Sequence, residues 1–448
     1  MNPDKPNVVF VFADQWRGQA TGYAGDPNAK TPHLDRLTEE SLMFTQAVSG
    51  CPVCTPYRAS LITGQYWLTH GLFMNDLCLG TDAVSIADAF NGAGYDTGYI
   101  GKWHLDGHGR SSFIPRERRQ GFEFWKVLEC THNYNNSVYY GDTPEQQTWD
   151  GYDAIAQTHE AIRYLSDHPK DKPFALFLSW GPPHAPYGTA PEEYRRRIPP
   201  EDVALQPSVP KEHETAAREE LAGYYAHIAA LDDCIGLLDK AIDELGIRNN
   251  TVFVFTSDHG DMLHSHGYVK KQQPYAESLM VPLIVRYPDG LGNDGREVDT
   301  IVNSPDLMPT LLGLCGLTIP ETVEGRDFAP ALLQGDTPQI EGALIMCPAP
   351  FGQWTPEVGG REYRGVYTGK YTYTRALDGP WELFDNEADP YQMTNCCNHP
   401  DYAEEQANLE ALLTRLLQET NDEFLPAEDL IAKWGYEVDE TGTIPYSP

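Results

Sequence analysis

Basic residues are scarce in this sequence. Its 448 residues hold 32 Lys and Arg against 66 Asp and Glu, a formal net charge of −34. A surface of that sign repels nucleic acid and anionic membrane, so neither is an expected partner. It also repels anionic small molecules at long range, so a site for an anionic substrate needs local cations or a bound metal. Long apolar runs are missing too: none approaches the roughly 20 residues of a membrane-spanning helix. The start, MNPDKPNVVFVFADQ, has no apolar signal core ahead of a cleavage site. It implies a cytoplasmic protein, or a periplasmic or secreted one if a signal peptide has been removed. The nine cysteines, at 51, 54, 78, 130, 234, 315, 347, 396 and 397, are odd in number and irregularly spaced, which argues against a disulfide framework. Repeats at solenoid or propeller periods are absent, and no feature specifies an oligomeric state.

What is present is alternation. NVVFVFA (7–13), TGYIGKW (97–103), PFALFLSW (173–180), TVFVFTS (251–257), VPLIVR (281–286) and GALIMC (342–347) are short apolar runs of the kind that form strands buried on both faces. Helical patterns lie between them: SIADAFNGAG, YDAIAQTHEAIRYLSDH and the long REELAGYYAHIAALDDCIGLLDKAIDELG, with SPDLMPTLLGLCG opening on a Ser cap. The pattern predicts an α/β fold, a large mixed and mainly parallel sheet sandwiched by helices. Beyond residue 350 the chain becomes rich in alternating Tyr and Thr with turn residues. This predicts a catalytic α/β domain over 1–350 and a smaller α+β domain with an antiparallel sheet over 351–448.

Polar residues follow the strands. Asp14-Gln15, Lys102 and His104, His184, and Asp258-His259 each come just after an apolar run, where α/β sheets place their ligands. The stretch CPVCTPYRAS (51–60) allows a redox C-x-x-C, half of a zinc site, or one special cysteine beside an incidental one. No second C-x-x-C follows, and the run before it is not a thioredoxin-like strand. Pro56 fits a first helical turn, which puts Cys54 at a helix N-terminus, where backbone N–H groups favour anions.

At this point the sequence resembles a known family. CTPYRASLITG resembles the signature of the type I sulfatases of the alkaline-phosphatase superfamily. PNVVFVFADQ, TPHLDRL, GYIGKWHL, PPHAPY, TSDHGDML, KKQQPYAESLMVPLIVR and ELFDNEADPYQMTN resemble further family blocks in family order, across nearly the whole chain. The resemblance implies that Cys54 is oxidised to formylglycine by a maturation enzyme. The hydrated aldehyde attacks sulfur, and its second hydroxyl later lets the same carbon expel sulfate, which a thiol cannot do. It implies a divalent cation, calcium first and Mg²⁺ or Mn²⁺ as alternatives, held by Asp14, Gln15, Asp258 and His259 together with residue 54. Many relatives carry Asp where Gln15 stands. Lys102 and Lys271 match the sulfate-binding lysines, Arg58 the residue holding the formylglycine hydroxyl, His104 the base and His184 the acid. The segment 104–142 resembles bacterial sulfatases acting on carbohydrate sulfates, which implies a sulfated sugar, with galactose or N-acetylgalactosamine 4-sulfate as first choices. Asn75, Asp76, His108 and His132 are the candidate sugar contacts. A phosphonate monoester or phosphodiester hydrolase, and a sulfated-glycan-binding protein with unconverted Cys54, are the competing readings.

Overall fold

The computed structural model of the chain describes residues 5–446. The first four residues, which form part of the chain start read above, lie outside the described residues, as do the last two.

Apolar runs become strands because both of their faces find a core. In β1 (Asn7–Asp14), Val8, Phe10 and Phe12 join one hydrophobic cluster, and Val9, Val11 and Ala13 join another. A side-chain period of two thus sends one strand into two layers and places it centrally in a sheet covered on both sides. The sheet continues with β2 (Leu42–Val48), β3 (Asp96–Lys102), β4 (Phe124–Leu128), β5 (Val138–Tyr140), β6 (Gln146–Thr148), β7 (Phe174–Pro183), β8 (Thr251–Ser257), β9 (Leu283–Arg286) and β10 (Arg296–Asn303). Its order is β10-β2-β9-β8-β1-β7-β3-β4-β5-β6. Pairing is parallel from β8 through β1, β7 and β3 to β4, and again between β10 and β2. β9 is antiparallel to both neighbours, and β5 and β6 form an antiparallel edge.

Helices cover both faces. Asp153–Asp167 and Glu214–Glu244 pack on the side of Val9 and Val11, through residues such as Ala161, Leu221, Tyr224 and Ile228. Cys54–Thr63, Ile86–Gly92 and Leu307–Leu314 pack on the other side. The expected Ser cap of the last is replaced. Asn303 accepts from the Ser304 N–H and forms a capping box with Asp306, because a short 3₁₀ turn precedes the α-helix and moves the cap one residue back.

A second, antiparallel sheet is built from β11 (Ala343–Cys347), β12 (Tyr363–Tyr367), β13 (Tyr371–Ala376) and β14 (Gly379–Asp385), with the helix Ala403–Glu419 on it. The apolar run 342–347 was expected among the strands of the first sheet; it is an edge of the second. Its side chains also divide between two clusters, Leu344 and Met346 in one, Ala343, Ile345 and Cys347 in the other. Two-faced burial is what the run encodes, and that does not specify which sheet supplies it. After this sheet the chain returns to the large core: Leu430 joins it, and Tyr446 stacks its ring on the Arg110 guanidinium at 3.6 Å.

β8, β1, β7 and β3 are adjacent, and all four point their C-terminal ends the same way. Those ends deliver Asp258-His259, Asp14-Gln15, His184, and Lys102 with His104 to one place. Among the described residues no helix is long and apolar enough to cross a membrane.

Candidate active site

The helix Cys54–Thr63 starts on Cys54 and stops at Gly64, whose φ of 66° is the left-handed conformation that glycine adopts without strain. Val53 before it has no capping group. Asn75 supplies one instead, its Oδ1 accepting from the Thr55 N–H at 3.1 Å. All ten helical residues are buried, so Cys54 is held rigidly and is only 1% exposed. Its Sγ lies 3.2 Å from His259 Nε2 and 3.7 Å from Asp14 Oδ1. Burial and Asp14 push the thiol up, but Lys102, Lys271 and His259 outweigh them and hold it well below the ordinary range.

Cys51 lives elsewhere. It packs with Trp67, Leu344 and Met346 under the second sheet, and burial pushes its thiol up. Neither cysteine is in a disulfide. Cys51→Ala is expected to leave turnover unchanged and to lower stability by about 1 kcal/mol, read from urea unfolding.

Asp14, Cys54, Asp258 and His259 each offer one ligand atom, and these atoms lie within 4.8 Å of one another. His259 Nδ1 is 2.8 Å from the Gly260 carbonyl and donates to it, which turns Nε2 toward both carboxylates; burial opposes the ring's charge, but Asp258 and Cys54 raise its pKa, and a bound cation would take the Nε2 lone pair in place of that proton. Two carboxylates and an imidazole nitrogen converging in a buried spot fit a divalent cation. Arg58 ties the carboxylates together: Nη2 donates to Asp14 at 3.2 Å and Asp258 at 2.9 Å, and Nη1 donates to Ser179 Oγ and the Lys102 carbonyl. Lys102 Nζ sits 2.5 Å from Asp14 Oδ2. Burial would raise the Asp14 carboxyl, but the cations of Lys102 and Arg58 hold it well below its usual range; Asp258 is pushed up, by burial and by Asp14.

Gln15 follows Asp14 with a φ of 73°. Its backbone N–H donates to Asp258 Oδ1 at 3.0 Å, and its Oε1 accepts from Lys271 Nζ at 2.8 Å. Lys271 also donates to His184 Nε2 at 3.0 Å, while His184 Nδ1 donates to the Ala185 carbonyl at 2.8 Å. Burial, with Lys271 beside it, holds His184 neutral. The His132 ring stacks on His184 with centroids 4.7 Å apart. His104, at φ 61°, places Nε2 3.2 Å from Asp76 Oδ1, and its Nδ1 is buried without a hydrogen-bond partner. Burial opposes its charge, but Cys130 and Asp76 push its pKa up to about 10.

The structure therefore gathers Asp14, Gln15, Cys54, Arg58, Lys102, His104, His184, Asp258, His259 and Lys271 into one connected cluster. Of the sugar-contact candidates, His132 lies on His184, Asp76 supports His104, and Asn75 caps the Cys54 helix. His108 is half-exposed and leans on the Asp106 carbonyl. Four residues with no role in the sequence reading join the cluster. Arg110 forks onto both oxygens of Asp76, Ser179 receives Arg58, and Asp261 with Tyr187 holds the amide of Gln15. Asp261 and Tyr187 stand inside TSDHGDML and PPHAPY, two residues past His259 and three past His184, so their motifs already carried a signal.

A family model described as Sulfatase matches residues 6–317, and one described as N-sulphoglucosamine sulphohydrolase, C-terminal, matches residues 264–419. The chain is 45% identical over 438 residues to the ulvan-active sulfatase of Formosa agariphila, covering 97% of this chain and 85% of that relative. It is 30% identical over 454 residues to the endo-4-O-sulfatase of Bacteroides thetaiotaomicron, covering 88% of each. A solved structure from work on glycosaminoglycan metabolism by the same bacterium superposes with a TM-score of 0.85 at 29% identity, over 96% of this chain and 99% of that one. The phosphonate monoester hydrolase of Agrobacterium radiobacter shares the fold, with a TM-score of 0.76 at 22% identity, over 99% of this chain and 100% of that one.

Proposed function

Because the chain belongs to the sulfatase family, and so is a sulfuric ester hydrolase, we propose that it releases sulfate from a sulfated carbohydrate through a formylglycine formed from Cys54. The observation that carries this reading is the place of Cys54. Its sulfur heads a buried helix, touches His259, and is flanked by the ligand atoms of Asp14 and Asp258 and by two lysines. The ulvan-active and endo-4-O relatives support a carbohydrate sulfate. Galactose and N-acetylgalactosamine 4-sulfates head the substrates to test, with ulvan beside them.

The aldehyde hydrate at position 54, supplied by a maturation enzyme, would provide an oxygen nucleophile on a carbon that can later release sulfate. Asp14, Gln15, Asp258 and His259 would hold the cation, calcium first with Mg²⁺ or Mn²⁺ as alternatives, and a bound cation would polarise a sulfate oxygen. The remaining work falls to the chain's own side chains. Arg58 keeps the carboxylates of Asp14 and Asp258 in place. Lys102 and Lys271 stabilise charge growing on the sulfuryl oxygens. His104, oriented by Asp76, has a raised pKa and must first give up its own proton to solvent; in that neutral form it takes the proton whose loss restores the aldehyde. His184 hands a proton to the leaving alcohol. Its Nε2 now accepts from Lys271, so the proton it delivers reaches Nε2 from that ammonium or from solvent. His132, stacked on His184, and the more exposed His108 line the approach for the sugar.

Sulfate release from a panel of sulfated mono- and oligosaccharides tests the substrate. Side-by-side rates on an aryl sulfate and an aryl phosphodiester separate a sulfatase from a phosphodiesterase; a preference for the diester overturns the reading. Exhaustive chelation is expected to remove activity and added calcium to restore it. Full activity in a verified metal-free sample refutes the cation site.

A further inference from the structure

We infer that Asp261 and Tyr187 are positioning residues that lock the side-chain amide of Gln15 with its oxygen turned to Lys271 and the cation site. This rests on the reading in which Gln15 serves the cation and Lys271 the sulfate. Gln15 is fully buried, and both ends of its amide are engaged. Oε1 accepts from Lys271 Nζ at 2.8 Å; Nε2 donates to Asp261 Oδ2 at 2.6 Å, with the Tyr187 hydroxyl 3.4 Å away. An ammonium can only donate, so the end of the amide that meets Lys271 must be its oxygen; the NH₂ end then needs an acceptor, and Asp261 Oδ2 stands there to supply it. The backbone of Gln15 is held independently, its N–H on Asp258 and its carbonyl under the Tyr224 hydroxyl at 2.9 Å. The remaining freedom is the amide flip, and Asp261 removes it.

Asp261 is itself fully buried and forms no salt bridge among the described residues. Burying such a carboxylate is costly unless donors surround it. Three do: Gln15 Nε2, the Tyr187 hydroxyl at 2.5 Å, and the Leu263 N–H at 3.1 Å. None of the catalytic roles above uses Asp261 or Tyr187, so their shared purpose is the amide. A flipped amide would set N–H groups against the Lys271 ammonium and would offer a cation hydrogens in place of a lone pair.

An exchange of carboxylate and amide tests this. In Asp261→Asn, one oxygen and one NH₂ must meet three donors. Either Leu263 N–H faces an NH₂, or Gln15 and Tyr187 do, and the second outcome flips Gln15. In Gln15→Glu/Asp261→Asn, the Asn NH₂ donates to one Glu oxygen and to Tyr187, its oxygen accepts from Leu263, and the other Glu oxygen stays on Lys271. Calcium affinity is measured by calorimetry on chelator-stripped protein, with kcat and KM on nitrophenyl sulfate and a thermal melt for each variant. Asp261→Asn is expected to weaken calcium binding roughly 10–100-fold and to lower kcat/KM, with the double exchange recovering most of both. Gln15→Glu alone, with two carboxylates facing, should be impaired. Tyr187→Phe should show a smaller loss in the same direction, and carries the test with the double variant if Asp261→Asn does not fold. Wild-type calcium affinity and kcat/KM in Asp261→Asn, or a double variant no better than the single, overturns the proposal. Wild-type protein that binds no calcium removes the cation reading alone; the exchange is then judged on kcat/KM through Lys271.

Discussion

Cys54→Ala is expected to abolish sulfate release, a loss on the order of 10⁴–10⁶-fold, because a deleted nucleophile is not replaced by the groups around it. The protein should still fold, since the helix Cys54–Thr63 keeps its other nine residues, its Asn75 cap and its Gly64 stop. Peptide mass spectrometry of active wild-type enzyme should show CH₂SH replaced by CHO at Cys54 and an intact thiol at Cys51. The two cysteines differ in surroundings: one faces Lys102, Lys271 and His259, the other Trp67 and Leu344. An active preparation in which Cys54 is wholly unmodified would sink the mechanism.

The second large effect depends on the leaving group. A sugar alkoxide leaves poorly and needs a proton as the S–O bond breaks; a nitrophenolate does not. His184→Ala should therefore cripple hydrolysis of a sugar sulfate while sparing nitrophenyl sulfate, with the gap between substrates about 10²–10⁴-fold. Lys102→Ala should depress both rates together, because the sulfuryl oxygens are common to both substrates. The hydrogen bond from Lys271 to His184 sharpens the test. Equal losses on both substrates for His184→Ala would make it a sulfate binder and move the donor role to His104 or to Lys271.

Much of this arrangement was legible in the sequence. Strands buried on both faces appear as unbroken apolar runs, so β1, β3, β7 and β8 could be placed, and with them the polar residues at their ends. The supporting groups were harder to find. Arg110 reaches Asp76 from 34 residues away, and Tyr187 meets Asp261 across 74. Such partners are chosen by the three-dimensional packing of loops, and neither periodicity nor spacing reports it. The apolar run at 342–347 failed for a related reason: hydrophobicity encodes burial, and pairing partners are decided by the rest of the chain. The Ser304 cap failed more locally, because Asn303 is an equally good cap one residue earlier.

The burial of Cys54 also sets an order in time. In the folded chain its sulfur is closed to any second protein, so an enzyme that converts it must arrive before the helix is covered. The covering groups are synthesised late: His259 emerges 205 residues after Cys54, an interval on the order of 10–40 s at usual elongation rates. On the formylglycine reading, conversion and closure are in a race within that interval. The fraction of active molecules is then fixed during synthesis, and a molecule that closes unconverted stays inactive for as long as it stays folded.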